Sequence, residues 1–141
     1  SVMRVLLGKA PILGICLGHQ CLGHILGGKI GKAVNPFHGS AQYVNIIGKN
    51  EVINRFSTPF LAAHYNSLIV ERGSLPSEWI WAVNDSGEVE GIAWHEGRWP
   101  ALSVQYHPES FLSEHQQPLF DLWRDLVMQY YRGSRDEKNQ A

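Results

Sequence analysis

Two hydrophobic periods alternate along this chain. Residues 2–8 carry apolar side chains at helical spacing, and 11–15 are apolar without alternation, as in a strand buried on both faces. Residues 17–26 return to helical spacing and stop at Gly27-Gly28, a C-cap signal. From 29 to 57 the chain is rich in β-formers, most clearly at 41–47, with turn signals at Asn35-Pro36 and Gly48-Lys49-Asn50. Residues 61–70 read as a loop and a strand. Segments 79–84 and 90–94 read as a hairpin around Asp85-Ser86-Gly87. Residues 102–106 form a further strand. Residues 117–131 form an amphipathic helix with Pro118 near its first turn and an apolar stripe of Leu119, Phe120, Trp123, Leu126, Val127 and Tyr130. Residues 132–141 are polar and are expected to fray. A buried strand followed by a helix points to α/β, but the β-rich middle leaves α+β open.

The strand ending at Ile15 leads into chemistry. Gly14-Ile15-Cys16-Leu17-Gly18 places a cysteine between a buried strand and a helix, with glycine two residues away on either side. That spacing fits a nucleophile elbow, in which the side chain stands on a sharp turn that crowds the backbone on both sides. A thiol at a helix N-terminus is expected to ionise more easily, because the dipole and free N–H groups favour the thiolate. A base is available at His107-Pro108-Glu109. Pro108 biases His107 toward an extended conformation, and in extended chain residues two apart point the same way. Glu109 is thus placed to hold one tautomer of His107 while the other ring nitrogen serves the thiol.

Simpler readings compete. A lone cysteine on an apolar stretch is ordinarily core packing, the role expected of Cys21, which lacks flanking glycines. Cys16, His19, Cys21 and His24 suggest a metal site, but on a helix His19 and Cys21 lie about 160° apart and cannot converge. His38, His64 and His95 are expected on the surface or in hydrogen-bonded loops. Four of the five tryptophans fall between residues 79 and 99, where core packing is the default.

Taken together, Gly14-Ile15-Cys16-Leu17-Gly18-His19-Gln20 and His107-Pro108-Glu109 resemble a class I (triad) glutamine amidotransferase. Tyr65-Asn66-Ser67-Leu68-Ile69-Val70 is similar to the Tyr-His-Ser-Leu-(Ile/Val)-Val segment of the glutaminase subunits of anthranilate and aminodeoxychorismate synthases. Phe37-His38-Gly39 resembles their Met-His-Gly segment, and residues 104–115 resemble their Val-Gln-Phe-His-Pro-Glu-Ser-Ile-Leu-Thr-Glu-His. Asn66, Ser40 and Gln116 depart from the residues usual there. The resemblance implies an open, doubly wound, mostly parallel sheet with additional antiparallel strands. It implies Cys16, His107 and Glu109 as catalytic residues, and Leu17, Gln20, Ser67 and Leu68 at the substrate. It implies glutamine as substrate, hydrolysed through a cysteinyl thioester without cofactor or metal. The ammonia would pass to a chorismate-utilising synthase, as a separate subunit or a fused domain.

Family members begin with strands and a Gly-Pro-Gly loop that donates one oxyanion-hole N–H, whereas this chain opens at Ser1-Val2-Met3. The expectation is that residues 1–131 are the C-terminal part of the domain, with 132–141 a polar tail, and that the chain alone is a poor glutaminase. Two alternatives share these motifs: a γ-glutamyl hydrolase-like cysteine peptidase, and an inactive fragment acting only through partner contacts.

Composition narrows the field further. The 141 residues are 44% hydrophobic, enough for one core, and the net charge of −1 gives no reason to expect nucleic acid or a membrane surface. No apolar run reaches the ~20 residues needed to span a bilayer. Cys16 and Cys21 lie on different faces of one helix, so a disulfide is not expected, which suits a reducing cytosol.

Overall fold

A computed structural model describes residues 1–36, 39–48 and 55–140. Helix α1 (Val2–Leu6) leads into strand β1 (Ile12–Ile15) and helix α2 (Leu17–Ile25). Strands β2 (Ile30–Lys32), β3 (Ser40–Ile46), β4 (Phe60–His64) and β5 (Leu68–Val70) come next. The hairpin β6 (Ile80–Asn84) and β7 (Val89–Trp94), strand β8 (Ala101–Val104) and helix α3 (Gln116–Gln140) complete the fold. Phe37, His38 and the Lys49-Asn50 part of the expected turn lie outside the described residues.

Six strands form one sheet in the order β1-β8-β7-β6-β3-β4, and β2 pairs with β5 in a separate ribbon. β1 and β8 run parallel, and the other four ladders of the large sheet are antiparallel. The architecture is α/β, as expected. Among the described residues the added antiparallel strands outnumber the parallel pair. The sheet curls, because Ala63 of β4 forms an isolated bridge to His107, just beyond β8. The segment after His107 then runs along the outer edge of β4, with the Glu114 N–H donating to the Leu61 carbonyl at 2.8 Å. That edge would otherwise offer unpaired backbone groups.

Alternation along β8 sorts its side chains onto two cores. Leu102 and Val104 face one core with Phe60, Trp81, Tyr106 and α3's Leu119 and Leu122. Ala101 faces the other with Leu22 of α2, Val70, Ile80 and Ile92. This is a sheet with helices on both faces. The stripe expected on α3 is rotated: Leu119 and Leu122 are buried, Trp123 and Leu126 pack partly, and Phe120 is exposed. α3 also runs to Gln140 instead of fraying at residue 132. Arg98 helps to hold this last part, donating to the Ser134 hydroxyl at 2.7 Å. No described helix is long and apolar enough to cross a membrane.

The hairpin turn forms where the sequence places it. The Asn84 side-chain oxygen accepts from the backbone N–H groups of Ser86 and Glu88, and Gly87 adopts φ +79°. An Asx-type turn of this kind needs a short polar side chain first and tolerance of positive φ near its end.

Candidate active site

Cys16 sits between β1 and α2 with φ 53° and ψ −102°. A non-glycine residue held at positive φ costs on the order of 1–3 kcal/mol and persists only where its surroundings enforce it. Here the Cys16 N–H is tied to the Val104 carbonyl of β8 at 2.9 Å, and the Cys16 carbonyl accepts the first helical bond, from Gln20, at 3.1 Å. Gly14 explains the local sequence. A Cβ there would lie 2.7 Å from the backbone carbon and oxygen of Gly18. Gly18 itself has nothing within 4 Å of where its Cβ would be, so the crowding expected on both sides exists on the Gly14 side alone.

Because β1 and β8 are parallel and in register, with Ile15 opposite Val104, both strands end on the same side of the sheet. Cys16 emerges there from β1, and Gln105, Tyr106 and His107 emerge there from β8. His107 Nδ1 lies 2.5 Å from Glu109 Oε1. The His107 backbone N–H donates to the Ala63 carbonyl at 3.0 Å, and its ring meets the edge of Tyr65 at a centroid distance of 5.0 Å.

The thiol is half-buried, and that burial raises its pKa above the ordinary thiol value of 9.0. The Leu17 N–H and the Gln105 side chain pull it down, while the charges of Glu109 and Glu90 push it up. The helix N-terminus is expected to favour the thiolate. The Leu17 N–H does so, but desolvation outweighs it.

The remaining expected residues converge around α2. Gln20 donates from Nε2 to the Leu68 carbonyl at 3.0 Å and to Gln105 Oε1 at 3.3 Å. Leu68 also accepts from the Asn66 side chain at 3.0 Å, and Ser67 accepts the Ala33 N–H at 2.9 Å through its carbonyl. Leu17 is largely exposed at the start of α2, where a cleft of about 440 Å³ opens beside Gln20, Cys21 and Arg4. Among the described residues, no three His, Cys, Asp or Glu side chains lie close enough to hold a metal ion.

Sequence reasoning passed over Gln105. It is fully buried, and it donates from Nε2 to Cys16 Sγ at 3.8 Å while accepting from Gln20. Cys21, expected in the core, is exposed. His19 is instead fully buried against the Ser103 hydroxyl at 2.8 Å, and burial lowers it to about 3. His64, expected at the surface or in a loop, is fully buried within β4. Its Nε2 lies 2.8 Å from both carboxylate oxygens of the equally buried Glu90. Burial opposes the charge on each partner, yet the Glu90 contact leaves His64 raised, and Glu90 is raised as well.

The sequence from residue 1 to residue 126 matches the class-I glutamine amidotransferase family. The chain belongs to that family. Among curated amidotransferase relatives, the bifunctional protein TrpGD of Thermotoga maritima is 44% identical over 115 residues, covering 81% of this chain and 19% of that protein. Anthranilate synthase component 2 of Cyanophora paradoxa is 40% identical and aminodeoxychorismate synthase component 2 of Escherichia coli 37% identical. This chain spans 60% of the length of each. Among solved structures, a candidate GMP synthase subunit from Thermoplasma acidophilum superposes with a TM-score of 0.77 at 22% identity, over 94% of this chain and 67% of that one. A glutamine amidotransferase from Thermotoga maritima gives 0.64 at 19% identity, over 98% and 62%. Both likenesses support the amidotransferase fold.

Proposed function

We propose that this chain carries the thiol, base and orienting carboxylate of a glutaminase. The observation that supports it best is the pairing of a strained Cys16 at the end of β1 with a His107–Glu109 contact of 2.5 Å just beyond the adjacent parallel strand. Glu109 engages Nδ1 of His107, which leaves Nε2 for proton transfer. Burial of the thiol favours its neutral form, and a base takes its proton as the S–C bond forms.

Cys16 Sγ attacks the side-chain carboxamide carbon of glutamine, and His107 accepts the thiol proton. The Leu17 N–H stabilises the developing oxyanion. His107 then passes the proton to the departing nitrogen, and ammonia leaves a glutamyl thioester. Water, deprotonated by His107, hydrolyses that thioester and releases glutamate. Gln105 holds the thiol in place, while Gln20, Ser67 and Leu68 border the glutamine. No step calls for a metal or cofactor. The names of the relatives, anthranilate synthase component 2 and aminodeoxychorismate synthase component 2, support a chorismate-utilising synthase as the consumer of the ammonia. A cytosolic setting fits that role.

The test is a glutamine analogue with an electrophilic side chain, followed by peptide mapping. Label on Cys16 with Cys21 spared supports the assignment. The exposed Cys21 makes this discrimination demanding, since a general alkylator would reach it. Label on Cys21 with activity lost overturns it. Turnover of γ-glutamyl peptides in preference to glutamine would favour a peptidase instead.

A further inference from the structure

The buried His64–Glu90 pair takes no part in the thioester chemistry, yet its neighbours do. At the end of β4, His64 stands between Ala63, whose carbonyl holds the His107 N–H at 3.0 Å, and Tyr65, whose ring packs at right angles to the His107 ring. On β7, the backbone carbonyl of Glu90 accepts the Gln105 N–H at 2.8 Å, and Gln105 in turn holds the Cys16 thiol. β4 and β7 are separated by two intervening strands in the sheet, so the pair spans the hollow of the curl.

We propose that His64 and Glu90 are positioning residues: by tying β4 to β7 across that hollow, they fix His107 relative to Gln105 and Cys16. The proposal rests on the glutaminase reading above. The geometry of the tie is directional. The Ala62 carbonyl can only accept, so His64 Nδ1, 2.8 Å from it, carries a hydrogen. That fixes the ring plane and aims Nε2 at the carboxylate. One further proton lies between Nε2 and Glu90, whichever partner formally holds it, and the pair as a whole is neutral.

A buried pair of this kind is poor evidence of stabilisation, because apolar residues of similar size often serve stability equally well. What apolar packing lacks is direction. The two roles therefore separate experimentally. In the full-length protein, His64→Leu/Glu90→Met removes the tie while keeping volume. Glu90→Gln keeps it, because the amide N–H donates to Nε2 of a neutral His64.

The expected result is a folded apolar double variant with kcat lowered about 10- to 100-fold, since small misplacements of reacting groups cost that much. KM stays within about twofold, because the lost interaction serves the transition state. Amide hydrogen exchange at His107 speeds up in the same variant. Glu90→Gln keeps kcat and exchange near wild type. An apolar double variant with wild-type kcat and exchange overturns the proposal, as does equal loss in both variants. If the double variant does not fold, Glu90→Asp decides, since it keeps the charge and shortens the reach. Wild-type kcat in that variant overturns the proposal. Hydrogen exchange reads the tie without any activity. If glutamine hydrolysis survives Cys16→Ser, the glutaminase reading fails on its own, whatever the exchange data show.

Discussion

Gly14→Ala is the sharpest probe of the elbow. The added Cβ would stand 2.7 Å from the Gly18 carbonyl carbon and oxygen and 3.0 Å from the His19 nitrogen, all of them backbone. Non-bonded carbon contacts are comfortable at about 3.5–4.0 Å, so the first turn of α2 must retreat by on the order of 1 Å. Overpacking on this scale costs roughly 1–3 kcal/mol. For a domain of this size, each kcal/mol corresponds to about 3–5 °C, which puts the drop in Tm at roughly 3–15 °C. The same displacement carries Cys16 away from His107 and lowers kcat on the order of 10²-fold. Gly18→Ala is the control. Its Cβ meets nothing within 4 Å, and alanine in place of glycine in a helix adds up to about 1 kcal/mol of stability. Differential scanning calorimetry on both variants, with glutaminase kinetics on Gly14→Ala, decides the matter. If Gly14→Ala keeps wild-type Tm and kcat, or Gly18→Ala is equally destabilised, the account of why glycine stands at position 14 is wrong.

Other consequences come from the same geometry. His107→Ala is expected to lower kcat/KM by at least ~10²–10⁴-fold, with Glu109→Gln costing less because it disturbs orientation and leaves the base in place; steady-state glutamine hydrolysis measures both, and the reverse ranking contradicts the assignment. The raised Cys16 thiol implies that iodoacetamide labelling of Cys16, read by peptide mapping, keeps accelerating with pH beyond 9.0, whereas a plateau near neutrality would mean a preformed thiolate. His19, lowered to about 3 in the folded chain against an ordinary 6.5, takes up a proton on unfolding between those values. Its contribution is therefore full above about pH 6.5 and is lost as pH falls, at about 1.4 kcal/mol per unit. Urea titrations from pH 7 to 4 should show a shallower decline for His19→Asn than for wild type, and parallel curves would refute the burial argument.

The parts of the site that were legible in the sequence are those built from near neighbours. Gly14 and Cys16 mark the turn by their spacing, and Glu109 reaches His107 from two residues on, though not through the extended chain expected: Pro108 and Glu109 lie in a turn closed by the Ser110 N–H on the His107 carbonyl at 3.3 Å. The β6–β7 turn was readable for the same reason, since Asn84 caps its own loop. What escaped depends on contacts distant in the chain. His64 meets Glu90 because the sheet curls back on itself, and nothing near residue 64 signals that. Gln105 becomes part of the site through the parallel register of β1 with β8, which no local pattern specifies. The same limit applies to α2: periodicity separated His19 from Cys21, but tertiary packing buried His19 against Ser103 and left Cys21 outside. On α3, the stripe turned because Leu122, between Phe120 and Trp123 in sequence, is the residue that meets the sheet.

Whether Cys16 is the nucleophile is decided by glutamate release from the full-length protein and from its Cys16→Ser variant. Equimolar glutamate and ammonia are expected from wild type and neither from Cys16→Ser, while any associated synthase still works with free ammonia. Undiminished glutamine hydrolysis by Cys16→Ser would contradict that role.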